Sequence, residues 1–188
     1  MQKRFLMLSL SVLVCLSLGA GCWGKKPATS NATGQVQPGK TYEVDSKLCQ
    51  TFDKDFMQSA TGKTFAKLDP QSVAGISACH YYTEYKTDYF PARGSSGPQP
   101  GGPHIALDMD NSDPQSLKAT ITRMGGTSKT DSRIPMDHFI LLEPKGTVWK
   151  IVLILGPNKY LAVSQSLNVL TDDQIIDLSA KLAQKIVK

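Results

Sequence analysis

Residues 139–165 read FILLEPKGTVWKIVLILGPNKYLAVSQ, and this stretch decides the fold. Three apolar runs, Phe139 to Leu142, Val148 to Leu155 and Tyr160 to Gln165, are separated by Glu143-Pro144-Lys145-Gly146 and Gly156-Pro157-Asn158-Lys159. Short apolar runs punctuated by Pro and Gly spell strands joined by tight turns. Strict alternation along the middle run puts Val148, Val152 and Ile154 on one face. Trp149, Ile151, Leu153 and Leu155 then lie on the other. A strand apolar on both faces is central in its sheet and covered on both sides.

Downstream, Thr171-Asp172-Asp173-Gln174 spells a capping box with acids at the positive end of a helix. Ile175, Leu178, Leu182 and Ile186 form the buried stripe of that helix. Upstream, Asp113-Pro114 is a helix start, with Leu117, Ile121 and Met124 on its inner face and Gly125-Gly126 ending it. His104 to Met109 is a shorter strand. Ala78 to Thr87 is another, with Cys79, Tyr81, Thr83 and Tyr85 sharing a face. Ser46 is expected to cap a first helix in which Leu48, Cys49, Phe52 and Phe56 recur at helical spacing. A polar stretch then runs to Gly75. The order is helix, two strands, helix, three strands, helix. Its short hairpins predict an α+β domain over 46–188, a mainly antiparallel sheet of about five strands packed against about three helices.

The chain opens differently. Lys3 and Arg4 precede an apolar run from Phe5 to Leu18, then Gly19-Ala20-Gly21 and Cys22. Positive, apolar and small residues in that order form an export-signal pattern, and the run is too short for an ordinary membrane-spanning helix. With Cys22 after the small residues, the segment resembles the lipobox of bacterial lipoproteins, although Leu18 stands one place earlier than the family's usual apolar residue. The resemblance implies a signal peptide over 1–21, removed by cleavage, and lipid carried on the Cys22 thiol (palmitate or a similar acyl chain). It also implies an exported protein held at the cell envelope, on the outer face of the cytoplasmic membrane or the periplasmic side. Two or three acyl chains make such attachment stable. Residues 23 to about 42 hold almost nothing to bury, so 22–45 is expected to be the lipidated cysteine and a flexible stalk of r.m.s. span roughly 25 Å. The part from 46 onward resembles small exported lipoproteins of unknown function, through Leu48-Cys49, Cys79-His80-Tyr81 and the helix from Thr171. That likeness implies a fold type and no activity.

Removing Lys3 and Arg4 leaves 19 basic against 16 acidic residues, a net charge of +3 that argues for neither a nucleic-acid surface nor an acidic partner. Cys49 and Cys79 remain after export. In an oxidising compartment such a pair is expected to form a disulfide rather than a metal site or a nucleophile.

Several spellings of chemistry fail on inspection. Gly34 to Thr41 fits the phosphate-loop pattern, but a polar stalk precedes it and no helical stripe follows. Asp108 to Asp113 begins like a calcium loop, yet Asp113 falls where the loop glycine belongs and Ala119 where the closing glutamate belongs. His80, His104 and His138 lack zinc spacing. Asp137-His138 could belong to a hydrolase triad, but no serine stands in a matching motif. No cofactor is expected. Five of the 14 aromatic residues fall within Tyr81 to Phe90. Some of these belong in a core, but Tyr82, Tyr89 and Phe90 with Arg93 make a candidate partner surface for a protein, peptide or glycan. The Gly/Pro/Ser-rich loop 91–103 beside them is either functional or slack. The leading expectation is a membrane-tethered, non-catalytic binding or accessory domain. An exported hydrolase-like enzyme and a passive structural lipoprotein are the alternatives.

Overall fold

In the computed structural model, residues 40–89 and 99–188 are described. Seven strands form one antiparallel sheet in the order β1-β2-β5-β9-β8-β7-β6, and β3 pairs with β4 as a separate ribbon. The strands are β1 (Lys67–Val73), β2 (Ile76–Tyr82), β3 (Lys86–Tyr89), β4 (Gln99–Gly101), β5 (His104–Asp110), β6 (Thr127–Lys129), β7 (His138–Leu142), β8 (Val148–Gly156) and β9 (Lys159–Gln165). The helices are α1 (Leu48–Thr51), α2 (Lys54–Thr61), α3 (Pro114–Arg123) and α4 (Asp172–Ile186). The chain is therefore α+β and antiparallel, with more strands than the sequence spelled out. Strands β1 and β6 went unseen because both are edges, and β4 went unseen inside the segment 91–103 that was expected to be a loop. An edge strand buries little, so Lys67–Val73 carries Pro70 and few apolar residues, and Thr127–Lys129 carries none.

The three runs of residues 139–165 form β7, β8 and β9, and β8 lies between its two neighbours with both faces buried. Alternation is broken at one place. Leu141 pairs with Lys150 and Leu142 with Val148, so the ladder shifts and Trp149 becomes the extra residue of a bulge. The shift sends Val148 into the large core with Ile151, Leu153 and Leu155. Trp149 joins Val152 and Ile154 on the opposite face, reversing the expected placement of both residues.

Helix α4 packs on β8 and β9, α1 on β1 and β2, and α2 against α4, all over the large core. The capping box is present: the Thr171 hydroxyl accepts from the Gln174 N–H while the Gln174 side chain accepts from the Thr171 N–H. The second face is covered over β7 by α3, whose Ile121 packs with Phe139, Leu141, Val152, Tyr160 and Ala162. Asp113 caps α3 and Pro114 follows, as the spelling required.

The first expected helix is two helices. Phe52 ends α1, and the buried Tyr81 hydroxyl donates to its carbonyl oxygen at 2.5 Å, taking an acceptor that helix continuation would use. Asp53 then caps α2 by accepting from the Phe56 N–H at 2.8 Å. Ser46 caps neither helix; Asp45 instead accepts from the Lys47 N–H, turning the chain into α1.

Candidate functional site

Cross-strand register places a polar patch on the second face of the sheet, on the side away from α3. Asp69 pairs with His80, His80 with Ala106, Ala106 with Ser164, and Ser164 with Lys150. The row beside it runs Gln71, Ala78, Asp108, Ala162 and Val152. Small residues Ala78, Ala106, Ala162 and Ser164 thus lie among His80 on β2, Asp108 on β5 and Lys150 on β8. These three side chains are about one fifth to one quarter exposed, so their charges act in a partly desolvated setting.

The histidines are organised by stacking. The His80 and His104 rings lie 4.9 Å apart between centroids and 17° from parallel, and Tyr82 contacts both. His80 Nε2 is 4.0 Å from Asp108 Oδ1, whose other oxygen is 3.7 Å from Lys150 Nζ. Burial, then the neighbouring His104, lowers the His80 pKa, while Asp108 and Asp69 oppose the shift. Burial is also the main cause that raises the Tyr82 phenol.

Ser166 Oγ stands 3.0 Å from His104 Nδ1, which looks like a nucleophile beside a base. The hydrogen bonding argues otherwise. His104 Nδ1 is 2.8 Å from the Gly102 carbonyl, which can only accept, so Nδ1 carries its proton and cannot take one from Ser166. His138 is committed too. Its Nδ1 donates to the Met136 carbonyl at 2.8 Å and its Nε2 accepts from the Asp131 N–H at 2.9 Å. It fastens the loop before β7, far in register from the other two histidines.

The other residues singled out by their spelling do not converge. Cys49 and Cys79 are joined in a disulfide, with Cα atoms 5.3 Å apart. Tyr82, expected to be exposed, is only 5% exposed, because the Thr83–Tyr85 kink folds Tyr85 over it at 5.1 Å and the histidines cover its other side. The kink also takes Tyr85 off the face it was assigned with Cys79 and Tyr81. Tyr89 ends β3, while its side chain, Phe90 and Arg93 lie outside the described residues, as do Cys22, the expected signal segment 1–21 and residues 23–39 of the expected stalk. Of the calcium-like segment, Asp110 accepts from the Tyr160 hydroxyl, Asn111 donates to Gly75, and Asp113 caps α3, so each has a separate task. Among the described residues no group of three or more His, Cys, Asp or Glu side chains is arranged to hold a metal. Of the phosphate-loop spelling only Lys40 and Thr41 are described. No helix follows them; Tyr42 donates its N–H to Leu155 in an extended segment.

Two open grooves lie elsewhere. One of about 430 Å³ sits between α2 and α4, lined by Phe56, Ala60, Lys181, Lys185 and Lys188. Another of about 360 Å³ runs over α1 and the β1–β2 hairpin, past Lys47, Cys49 and Pro70. Lys67, Asp69, Lys150 and Ser166 were missed from the sequence. Strand register brings the first three beside His80, and a hydrogen bond just past β9 brings Ser166 to His104. Compared with known proteins, the chain matches no family model, no curated protein and no solved structure.

Proposed function

We propose that the chain is an exported bacterial lipoprotein, anchored through Cys22, whose folded part is a non-catalytic binding or accessory domain of the cell envelope. The observation that carries this reading is the run from Lys3 to Cys22, charge then apolar stretch then small residues then cysteine. The Cys49–Cys79 disulfide supports it, since such bonds persist in oxidising compartments. No helix among the described residues is long and apolar enough to cross a membrane. Strand β3 ends at Tyr89, next in sequence to Phe90 and close to Arg93, and we assign partner contact (envelope protein, peptide or glycan) to these residues.

The test is the mass of the mature amino-terminal peptide after expression of the full chain with its own leader in a bacterial host. A peptide beginning at Cys22 with a diacylglyceryl group is the expected result. An unmodified cysteine, or a start elsewhere, defeats the proposal.

A second reading, an exported hydrolase, is favoured by the approach of His80 to Asp108 and of Ser166 to His104. It is second because His104 offers Ser166 no free acceptor at the facing nitrogen. Hydrolysis of ester or peptide substrates that disappears in Ser166→Ala would reverse the order.

A further inference from the structure

Strand β2 runs into β3 through Thr83–Tyr85, and β4 runs into β5 through Gly102–Pro103. The β3–β4 ribbon is therefore an arm that continues two neighbouring strands of the main sheet past a bend. The bend is tightly built. Thr83 donates both its N–H and its hydroxyl to the Pro103 carbonyl, at 3.0 and 3.2 Å. A Cβ on Gly102 would overlap the Glu84 carbonyl oxygen, so the two chain segments approach as closely as glycine permits. The stacked histidines lie immediately at the base of this bend. The His104 ring donates to Gly102, its backbone N–H donates to Ser166 Oγ at 3.1 Å, and its face rests on His80 and Tyr82.

We propose that the His80–His104 stack is an acid-responsive latch at the base of the β3–β4 arm, holding the bend while the pair carries at most one proton and releasing it when both rings are charged. The groups facing the pair set this behaviour. Asp69 lies across from His80 on β1, and Asp108 beside it on β5, so one proton on His80 has nearby carboxylates to offset it. Lys150 competes for Asp108 from β8, and Lys67 on β1 competes for Asp69 at 3.8 Å while standing over the Tyr85 ring. A second proton has no such partner. The groups around His104 are Tyr82, the Gly102 carbonyl and Ser166, none of them anionic. Two parallel imidazolium rings in face contact repel, and the available relief is for the His104 ring to leave the stack and the Gly102 carbonyl. The direction of the His80 shift agrees. Its proton is resisted in the folded chain, so the unfolded state binds protons first, and stability declines as pH falls below the ordinary histidine value of 6.5.

The experiment is amide hydrogen exchange on the full chain at pH 7.5 and 5.0, corrected for the intrinsic pH dependence of exchange. It is paired with an NMR titration of the histidine ring protons. In the wild type, arm amides in 86–89 and 99–101 are expected to lose at least tenfold in protection at pH 5.0, while Ile151 and Leu161 keep theirs. The His80 ring should titrate below the ordinary histidine range. His80→Gln, whose flat amide can occupy the stack without titrating, should abolish the loss. Asp108→Asn removes one of the two carboxylates that offset a proton on His80, so it should lower the pH at which the arm loosens. Equal arm protection at both pH values in the wild type overturns the proposal, whatever the variants do. Acid loosening that survives in a folded His80→Gln protein also overturns it. Because no partner is involved, failure here leaves the binding reading of the arm standing.

Discussion

Cys79 and Tyr81 sit two apart on β2, both fully buried and both directed at the first helix. One is joined to Cys49 and the other donates to the Phe52 carbonyl, so a single strand face holds both ends of α1. A four-residue helix cannot persist on its own hydrogen bonds, and these two ties supply what its length does not. Replacing both cysteines with alanine should lower the unfolding free energy by about 2–4 kcal/mol, the usual range for opening a loop of this size. Urea unfolding of wild type and variant measures it. A loss under about 1 kcal/mol would mean that the tyrosine and core contacts alone hold α1.

Among the elements, α3 depends on a close approach that no propensity scale records. Gly126 follows its C-terminus, and a Cβ there would strike the Leu142 carbonyl oxygen and the Ile121 side chain. Its N–H donates to the Ile121 carbonyl, turning the chain straight from α3 into β6. Gly126→Ala is therefore expected to cost about 1–3 kcal/mol, as overpacking in a formed core does. Gly146→Ala offers a contrast, since space is open there and only its positive φ of 85° resists. Thermal unfolding of the two variants should show different causes. Gly126→Ala should disturb the β6–β7 pairing, seen in amide exchange of Thr127 to Lys129, while Gly146→Ala should leave that pairing intact. The bulge at Trp149 belongs to this scale as well. A period of two read along Val148 to Leu155 assigns faces correctly from Ile151 onward and fails at the first two residues. One extra residue reverses every assignment before it.

For the molecule as a whole, one ion cluster joins the loop before β7 to α4. Arg133 donates to Asp131, Asp173 and Asp177 at 2.8–2.9 Å. The guanidinium holds the Asp131 carboxyl down at about 2, against an ordinary 3.8. A depressed carboxylate stabilises the fold at pH values above its ordinary value, and that contribution is lost as pH falls from about 4 toward 2. Arg133→Met should remove it. The variant is expected to be less stable than wild type at pH 5–7, and the difference should close between pH 4 and 2. The gap should also shrink in 1 M salt, because Arg133 is partly exposed and its pairs are screened. Chemical unfolding across this pH range checks it, and a gap independent of pH would point to lost packing instead.

Much of this fold was legible in residues whose neighbours in sequence are their neighbours in space. The three strands of 139–165, the α3 start at Asp113-Pro114 and the capping box at Thr171 are all local. Turn chemistry and capping act over about four residues, so composition and spacing were enough to place them. The pairing of Cys49 with Cys79 was expected from the exported context proposed for the chain, while their approach required the fold. What the sequence could not place were the edges β1 and β6, the break between α1 and α2, the bulge at Trp149, and the patch around His80. Each depends on partners far away in the chain. An edge strand is held by its neighbour rather than by an apolar stripe of its own, and the α1 break is held by a hydroxyl on β2. His80, His104, Asp108 and Lys150 come together through cross-strand register alone. Register is the joint outcome of every buried side chain on both faces, a property of the packed sheet that no single segment carries.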